Sequence, residues 1–219
     1  MKEFILRNKA FLGISAATLA ILLGGVFLMS KNSTDTVNSK NVSETVLISE
    51  DSQKSDPSAP LKLVEFGDYQ CPACAVYHPF VKQLLSDFPG KINFVYRHFP
   101  LPIHKNAVIS AYAAEAAGVQ GKFWEMHNKI YETQNVWSNS ESPADTFVTY
   151  AADLGLNIDK FLTDIDSETV KSIVKRGLSD GNLAGINSTP TFFLDGVEMP
   201  LFATYDELKK TIEDKLKTQ

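Results

Sequence analysis

Phe66-Gly67-Asp68-Tyr69-Gln70-Cys71-Pro72-Ala73-Cys74 carries an apolar strand through a turn into a helix, and it holds both cysteines of a 219-residue chain. A Cys-x-x-Cys pair opening a helix inside a β-α-β pattern reads as a redox-active dithiol. The helix N-terminus presents unpaired N–H groups and roughly +0.5 of an elementary charge, which favours a thiolate at Cys71. Cys74 falls one turn further in, so the spacing predicts an exposed attacking sulfur and a shielded resolving sulfur. The competing reading is half of a zinc site completed by histidines from His78, His98, His104 and His127. No two of these histidines stand at the close spacing of a second ligand pair, so the redox reading is preferred and no metal is expected.

On the N-terminal side, Leu61-Lys62-Leu63-Val64-Glu65-Phe66 is a nearly continuous apolar run of strand length, as in a sheet covered on both faces. Glu65 is the exception within it, either at a solvated strand end or buried for a reason. On the C-terminal side, a helix from Cys71 to about Phe88 is closed by Pro89-Gly90, and Pro79 should kink it rather than end it, since Phe80, Leu84 and Leu85 continue the apolar face. Ile92, Phe94 and Tyr96 alternate into a second strand, parallel to the first by the crossover rule. From Phe99 to about Ile186 the pattern is helical. An Asp195-Gly196 turn then joins 191–194 to 197–199 as a hairpin. Thr204-x-x-Glu207 opens a last helix with Leu208, Ile212 and Leu216 as its buried stripe.

The first thirty residues differ in kind. Lys2, Arg7 and Lys9 precede an uncharged run from Ala10 to Ser30, about the 20 residues that span a bilayer. Small residues occur only inside this run, so an uncleaved anchor is expected, with a cleaved signal as the alternative. The basic flank places the N-terminus in the cytoplasm and the rest of the chain outside, a single-pass cell-membrane protein. Residues 31–60, rich in Ser, Asn, Thr, Asp and Lys, read as a flexible tether, with an edge strand expected only within 42–48. No basic face suggests nucleic acid, which is not expected as a partner, and a formal net charge of −5 favours solubility and says little about partners.

Taken together, Glu65-Phe66 with Asp68 to Cys74, Tyr96-Arg97-His98-Phe99-Pro100-Leu101, Gly121-Lys122-Phe123-Trp124-Glu125-Met126-His127 and Ser188-Thr189-Pro190-Thr191-Phe192 resemble the DsbA-like branch of the thioredoxin superfamily. The membrane-anchored bacterial thiol-disulfide oxidoreductases are the nearest in kind. The resemblance implies an α/β thioredoxin-like fold over 61–219, with a helical insertion at about 100–186 and a transmembrane helix before it. It implies that Pro190 is cis against Cys71, that the Thr189 backbone pairs with a bound peptide, and that Glu65 is a buried carboxylate trading a proton with Cys74. The four histidines are structural or surface residues. No cofactor is implied, and the protein is read as a monomer.

By this resemblance the Cys71–Cys74 pair introduces disulfides into reduced exported proteins and is reoxidised by a quinone-linked DsbB-like membrane partner. A reductase or isomerase uses the same dithiol in other directions, although 31–60 leaves no room for a dimerisation domain ahead of the catalytic fold. A metal-carrying chaperone is the reading of a different class. Ala73 stands where the best-known oxidases of this branch carry His, so a milder oxidant is expected, and a nearby Asp68 would push the same way.

Overall fold

The computed structural model describes residues 43–47 and 53–218. The expected anchor over 1–30 and most of the tether lie outside these residues. Among the described residues no helix is long and apolar enough to cross a membrane.

Five strands form one sheet in the order β1-β3-β2-β4-β5. Its centre is β2 (Leu61–Gly67), buried at six of seven positions because both faces are covered. Strand β3 (Ile92–His98) runs parallel to it from the Leu61–Ile92 pair to the Gly67–His98 pair. On the other side β4 (Thr191–Leu194) is antiparallel, pairing Glu65 with Phe192. The hairpin to β5 (Val197–Glu198) turns at Asp195 and Gly196, with φ of 47° and 86°, the positive values a tight hairpin demands. Asp195 also ties the start of β2 to the hairpin, since its Oδ1 accepts from the Lys62 N–H at 2.9 Å.

Helix α2 (Pro72–Asp87) is the crossover from β2 to β3 and continues through Pro79. The insertion holds α3 (Ala107–Val119), α4 (Phe123–Glu132), α5 (Gln134–Trp137), α6 (Pro143–Asp153), α7 (Ile158–Ile165) and α8 (Glu168–Leu183). Alanines at 111, 113, 114, 116 and 117 are all buried, giving α3 the thin flanks that let it sit between its neighbours. The C-terminal α9 (Tyr205–Leu216) begins at Thr204, whose side chain accepts from the Glu207 N–H, while Glu207 reaches back to the Ala203 N–H rather than to the cap itself.

The alternation of β2 and β3 divides the apolar side chains into two cores. Leu61, Leu63, Ile92, Phe94 and Tyr96 face α2, α4 and the insertion. Val64, Phe66, Val95 and Phe193 face the other way, against Phe99, Ala184 and Leu47.

Leu47 marks a correction. The strand expected within 42–48 is instead a single helical turn, α1 (Glu44–Leu47), and the edge strand is β1 (Gln53–Lys54), antiparallel to β3. A helix end leaves consecutive carbonyls unpaired on one side. Here Arg97 Nη1 takes both, donating to the oxygens of Val46 at 3.3 Å and Leu47 at 3.1 Å. The buried guanidinium also pairs with Asp180 of α8 and lies over the Phe66 ring. The described part of 31–60 is therefore fastened to the sheet, and the fold starts earlier than a boundary at 60 allows.

Candidate active site

Cys71 is the N-cap of α2, with φ −68° and ψ 121°, and Pro72 fills the first helical position where an N–H has no partner to lose. The turn before it is held by Asp68. The Asp68 carbonyl accepts from the Cys71 N–H at 3.0 Å and its Oδ1 accepts from the Gln70 N–H at 2.8 Å. Its Oδ2 meets His104 Nδ1 at 2.6 Å and accepts from the Leu101 N–H at 2.9 Å. The carboxylate thus ties the dithiol turn to the loop after β3.

Two carboxamides, one from the insertion and one in the turn itself, hold the same turn. Gln134 Nε2 donates to the carbonyls of Tyr69 at 2.7 Å and Cys71 at 2.9 Å. Gln70 donates to the Ser138 carbonyl and accepts from the Asn106 N–H at 2.6 Å.

Both cysteines are buried thiols, Cys71 at 7% exposure and Cys74 at none. The attacking sulfur is thus more enclosed than the expected exposed position. The Cys71 S–H donates to the Thr189 carbonyl at 3.3 Å, across from the cis Thr189–Pro190 bond. Donors available to its thiolate bring Cys71 down to about 5: first the Cys74 thiol, then the Thr189 hydroxyl and the N–H groups of Cys74 and Ala73, against the opposing effect of burial. Thr189 Oγ1 is buried and has no partner while Cys71 is a thiol, so it is free to turn to the thiolate. Burial raises Cys74 well above its ordinary value, helped by its bond to Cys71. One sulfur is poised as an anion and the other as an acid.

Glu65 lies on the face of β2 that looks toward the dithiol, 2% exposed, with Oε1 unpartnered. Burial, then the charge of Cys71, pushes its carboxyl up to about 8. The structure gathers Cys71, Cys74, Glu65, Thr189 and Pro190 around one point.

None of the four histidines is a surface residue. His98 pairs with Glu115 at 2.7 Å, both buried, and Glu115 also accepts from Gln53 of β1. His127 Nδ1 meets the Tyr69 hydroxyl at 2.9 Å, and His78 stacks on Tyr131. Among the described residues no three His, Cys, Asp or Glu side chains converge as a metal site. The roles of Gln70, Gln134 and Asn106 and the Tyr96–Tyr131 hydrogen bond at 2.7 Å have no spacing signature, since each partner lies on a different element.

Residues 55–214 match the family described as thioredoxin. This chain belongs to the thioredoxin family. Within it, oxidised BdbD of Bacillus subtilis superposes with a TM-score of 0.69 at 27% identity, over 82% of this chain and 97% of that one. Wolbachia pipientis alpha-DsbA1 shares the fold at a TM-score of 0.70 and 19% identity, over 80% of this chain and 98% of its own. A curated relative, the Na(+)/H(+) antiporter NhaA 1 of Salinispora arenicola, is 39% identical over 139 residues, which is 63% of this chain. The chain spans about a fifth of the length of that relative, 20%. The protein is thus a thioredoxin-family chain, an α/β fold with a helical insertion.

Proposed function

We propose that this chain is a DsbA-like thiol-disulfide oxidoreductase that works as a disulfide donor to exported proteins, held at the outer face of the cell membrane by residues 1–30 and reoxidised by a quinone-linked DsbB-like partner. The observation that carries the direction is the depressed Cys71 thiol beside a Cys74 kept protonated. A substrate thiolate attacks Cys71 of the disulfide, and the bond to Cys74 breaks with its electron pair on Cys74, which takes a proton from Glu65. A second substrate thiolate then attacks the substrate sulfur of the mixed disulfide, and Cys71 leaves as a thiolate. The Thr189 backbone is the strand-like edge along which the peptide lies, with Pro190 keeping that edge against Cys71.

Stabilising the released thiolate stabilises the reduced enzyme and so favours oxidation of the substrate. A thiol at about 5 in place of 9.0 is worth on the order of 2 to 3 kcal/mol at neutral pH, or roughly 60 mV for the two-electron couple. This depression comes from the helix N–H groups, Cys74 and Thr189, so it does not require His at position 73. Without that His, the pair is the milder kind of oxidant.

Equilibration of the Cys71–Cys74 pair with glutathione buffers tests the reading. A potential between about −120 and −180 mV establishes a donor, whereas about −270 mV turns it to a reductase. Protease treatment of intact cells tests the location, since an extracytoplasmic domain is cut without lysis.

A further inference from the structure

Cys74 is fully buried and Glu65 nearly so, yet the mechanism requires a proton to reach and leave them on every turnover. Glu65 Oε1 is buried without a hydrogen-bond partner, a vacant acceptor on the sheet face that Glu65 shares with Tyr96. Glu65 stands beside Tyr96 in the parallel register of β2 and β3. Gly67, next on that face, has no side chain, and the space its Cβ would occupy is taken by the Tyr96 ring edge and hydroxyl at 2.6–2.9 Å. The Tyr96 hydroxyl meets that of Tyr131 at 2.7 Å. Tyr131 lines a groove of about 570 Å³ between α2 and α4, together with His78, Lys82 and Glu132. His78 lies one turn after Cys74 on α2, stacks on Tyr131 with ring centres 5.0 Å apart, and turns an unpartnered Nε2 toward Glu132 at 4.0 Å.

We propose that the Tyr96–Tyr131 hydroxyl pair is the conduit between the buried Glu65–Cys74 couple and solvent in the α2–α4 groove. When Cys74 is released it takes the Glu65 proton. The carboxylate takes the Tyr96 hydroxyl proton, Tyr96 takes that of Tyr131, and Tyr131 takes one from the groove. One proton passes from solvent to Cys74, and both tyrosines end neutral. Reoxidation runs the chain backward. The charges of Glu65 and Cys74 both act on Tyr96 and on Tyr131. The other titratable groups facing the pair are Tyr69 and His127, which bond each other, His78, and His98, which packs edge-on against Tyr96 and pairs with Glu115. Burial disfavours the charged form of His78 and His127.

This inference rests on the oxidoreductase reading, and the test separates the two. In the full-length protein, the rate at which dithiothreitol reduces the Cys71–Cys74 disulfide is followed across pH in H₂O and D₂O for wild type, Tyr131→Phe and Tyr96→Phe. The equilibrium constant with glutathione is measured beside it. Each Phe variant should slow reduction by about tenfold and alter its pH profile and solvent isotope effect, with the equilibrium constant unchanged. Tyr150→Phe, whose hydroxyl bonds Thr133 in the insertion at 2.7 Å, should leave the rate alone. Tyr96→Phe decides the matter if Tyr131→Phe does not fold. Unchanged rates in both variants overturn the route, as does a loss of rate matched by the same change in equilibrium constant. A wild type with no exchange at all overturns the oxidoreductase reading instead.

Discussion

The sulfur of Cys71 and the carbonyl oxygen of Thr189 stand 3.3 Å apart, and the Thr189 hydroxyl beside them is buried without a partner. As a thiol, Cys71 gives its proton to the carbonyl; as a thiolate, it needs a donor, and the hydroxyl supplies one. Hydrogen bonds to charged groups are worth about 1.5–3 kcal/mol, and one pKa unit is about 1.4 kcal/mol. Thr189→Val should therefore raise the Cys71 pKa by about one unit or more and make the dithiol more reducing. Ultraviolet thiolate absorbance against pH reads the first effect and glutathione equilibration the second.

The stability of the oxidised protein should peak near about pH 6.5, the ordinary value for histidine. Burial lowers His78 to about 4 and His127 well below 6.5, so the unfolded chain binds protons there that the folded chain does not, and stability rises with pH toward 6.5. Glu65 has the opposite sign. With the disulfide closed, burial alone raises it above its ordinary 4.5, so it keeps a proton that the unfolded chain releases, and stability falls as pH climbs above that value. Above the histidine range only the Glu65 slope remains. Glu65→Gln should remove the alkaline fall, leaving the variant more stable than wild type at pH 8 in denaturant titrations.

Reduction should flatten the same fall in wild type. With the disulfide open, Cys71 ionises in the folded state from about 5 rather than 9.0, which adds stability as pH rises between those values and offsets Glu65. Titrations of oxidised and reduced protein side by side should diverge progressively up to about pH 9, with the reduced form gaining. Parallel curves would contradict the thiolate assignment.

Arg97→Met should cost about 3–5 kcal/mol, because it leaves Asp180 without its buried cation. It also frees the carbonyls of Val46 and Leu47, so amide exchange at 43–47 should quicken more than at β2. Arg97 is on the face of β3 turned away from the dithiol, and the Cys71 pKa should stay where it is.

Gly67→Ala should destabilise by about 1–3 kcal/mol, since the new methyl meets the Tyr96 ring at 2.6 Å in a packed interior. Combining it with Tyr96→Leu should cost less than the two losses added, and the midpoint of urea unfolding measures both.

The dithiol, the strands on either side of it and the last hairpin were legible because each depends on neighbours in sequence: a helix start, a two-residue period, an Asp-Gly turn. Glu65 was visible as one carboxylate in an apolar run. Asp68 was visible only as a charge, and its three-way bond to Gln70, Leu101 and His104 depends on where the loop after β3 lands. The turn at 44–47 was misread because Val46 and Leu47 suit a strand on their own, and what decides against it is a guanidinium fifty residues away. His98 and Glu115 likewise declare themselves only as a pair, once α3 is laid on the sheet.

The carboxamides of Gln70 and Gln134, with the backbone N–H of Asn106, fasten the turn at 69–71 to α5 and the start of α3 rather than to the sheet. The dithiol is in this respect not a portable cassette. Cys71-Pro72-Ala73-Cys74 transplanted onto a thioredoxin lacking the insertion would bring the sulfurs and the helix field, but not the amides that set the pitch of the turn. Conversely, evolution has a remote dial here: residues on the far side of the insertion, touching neither sulfur, can retune the dithiol by shifting the ground on which its turn is pegged.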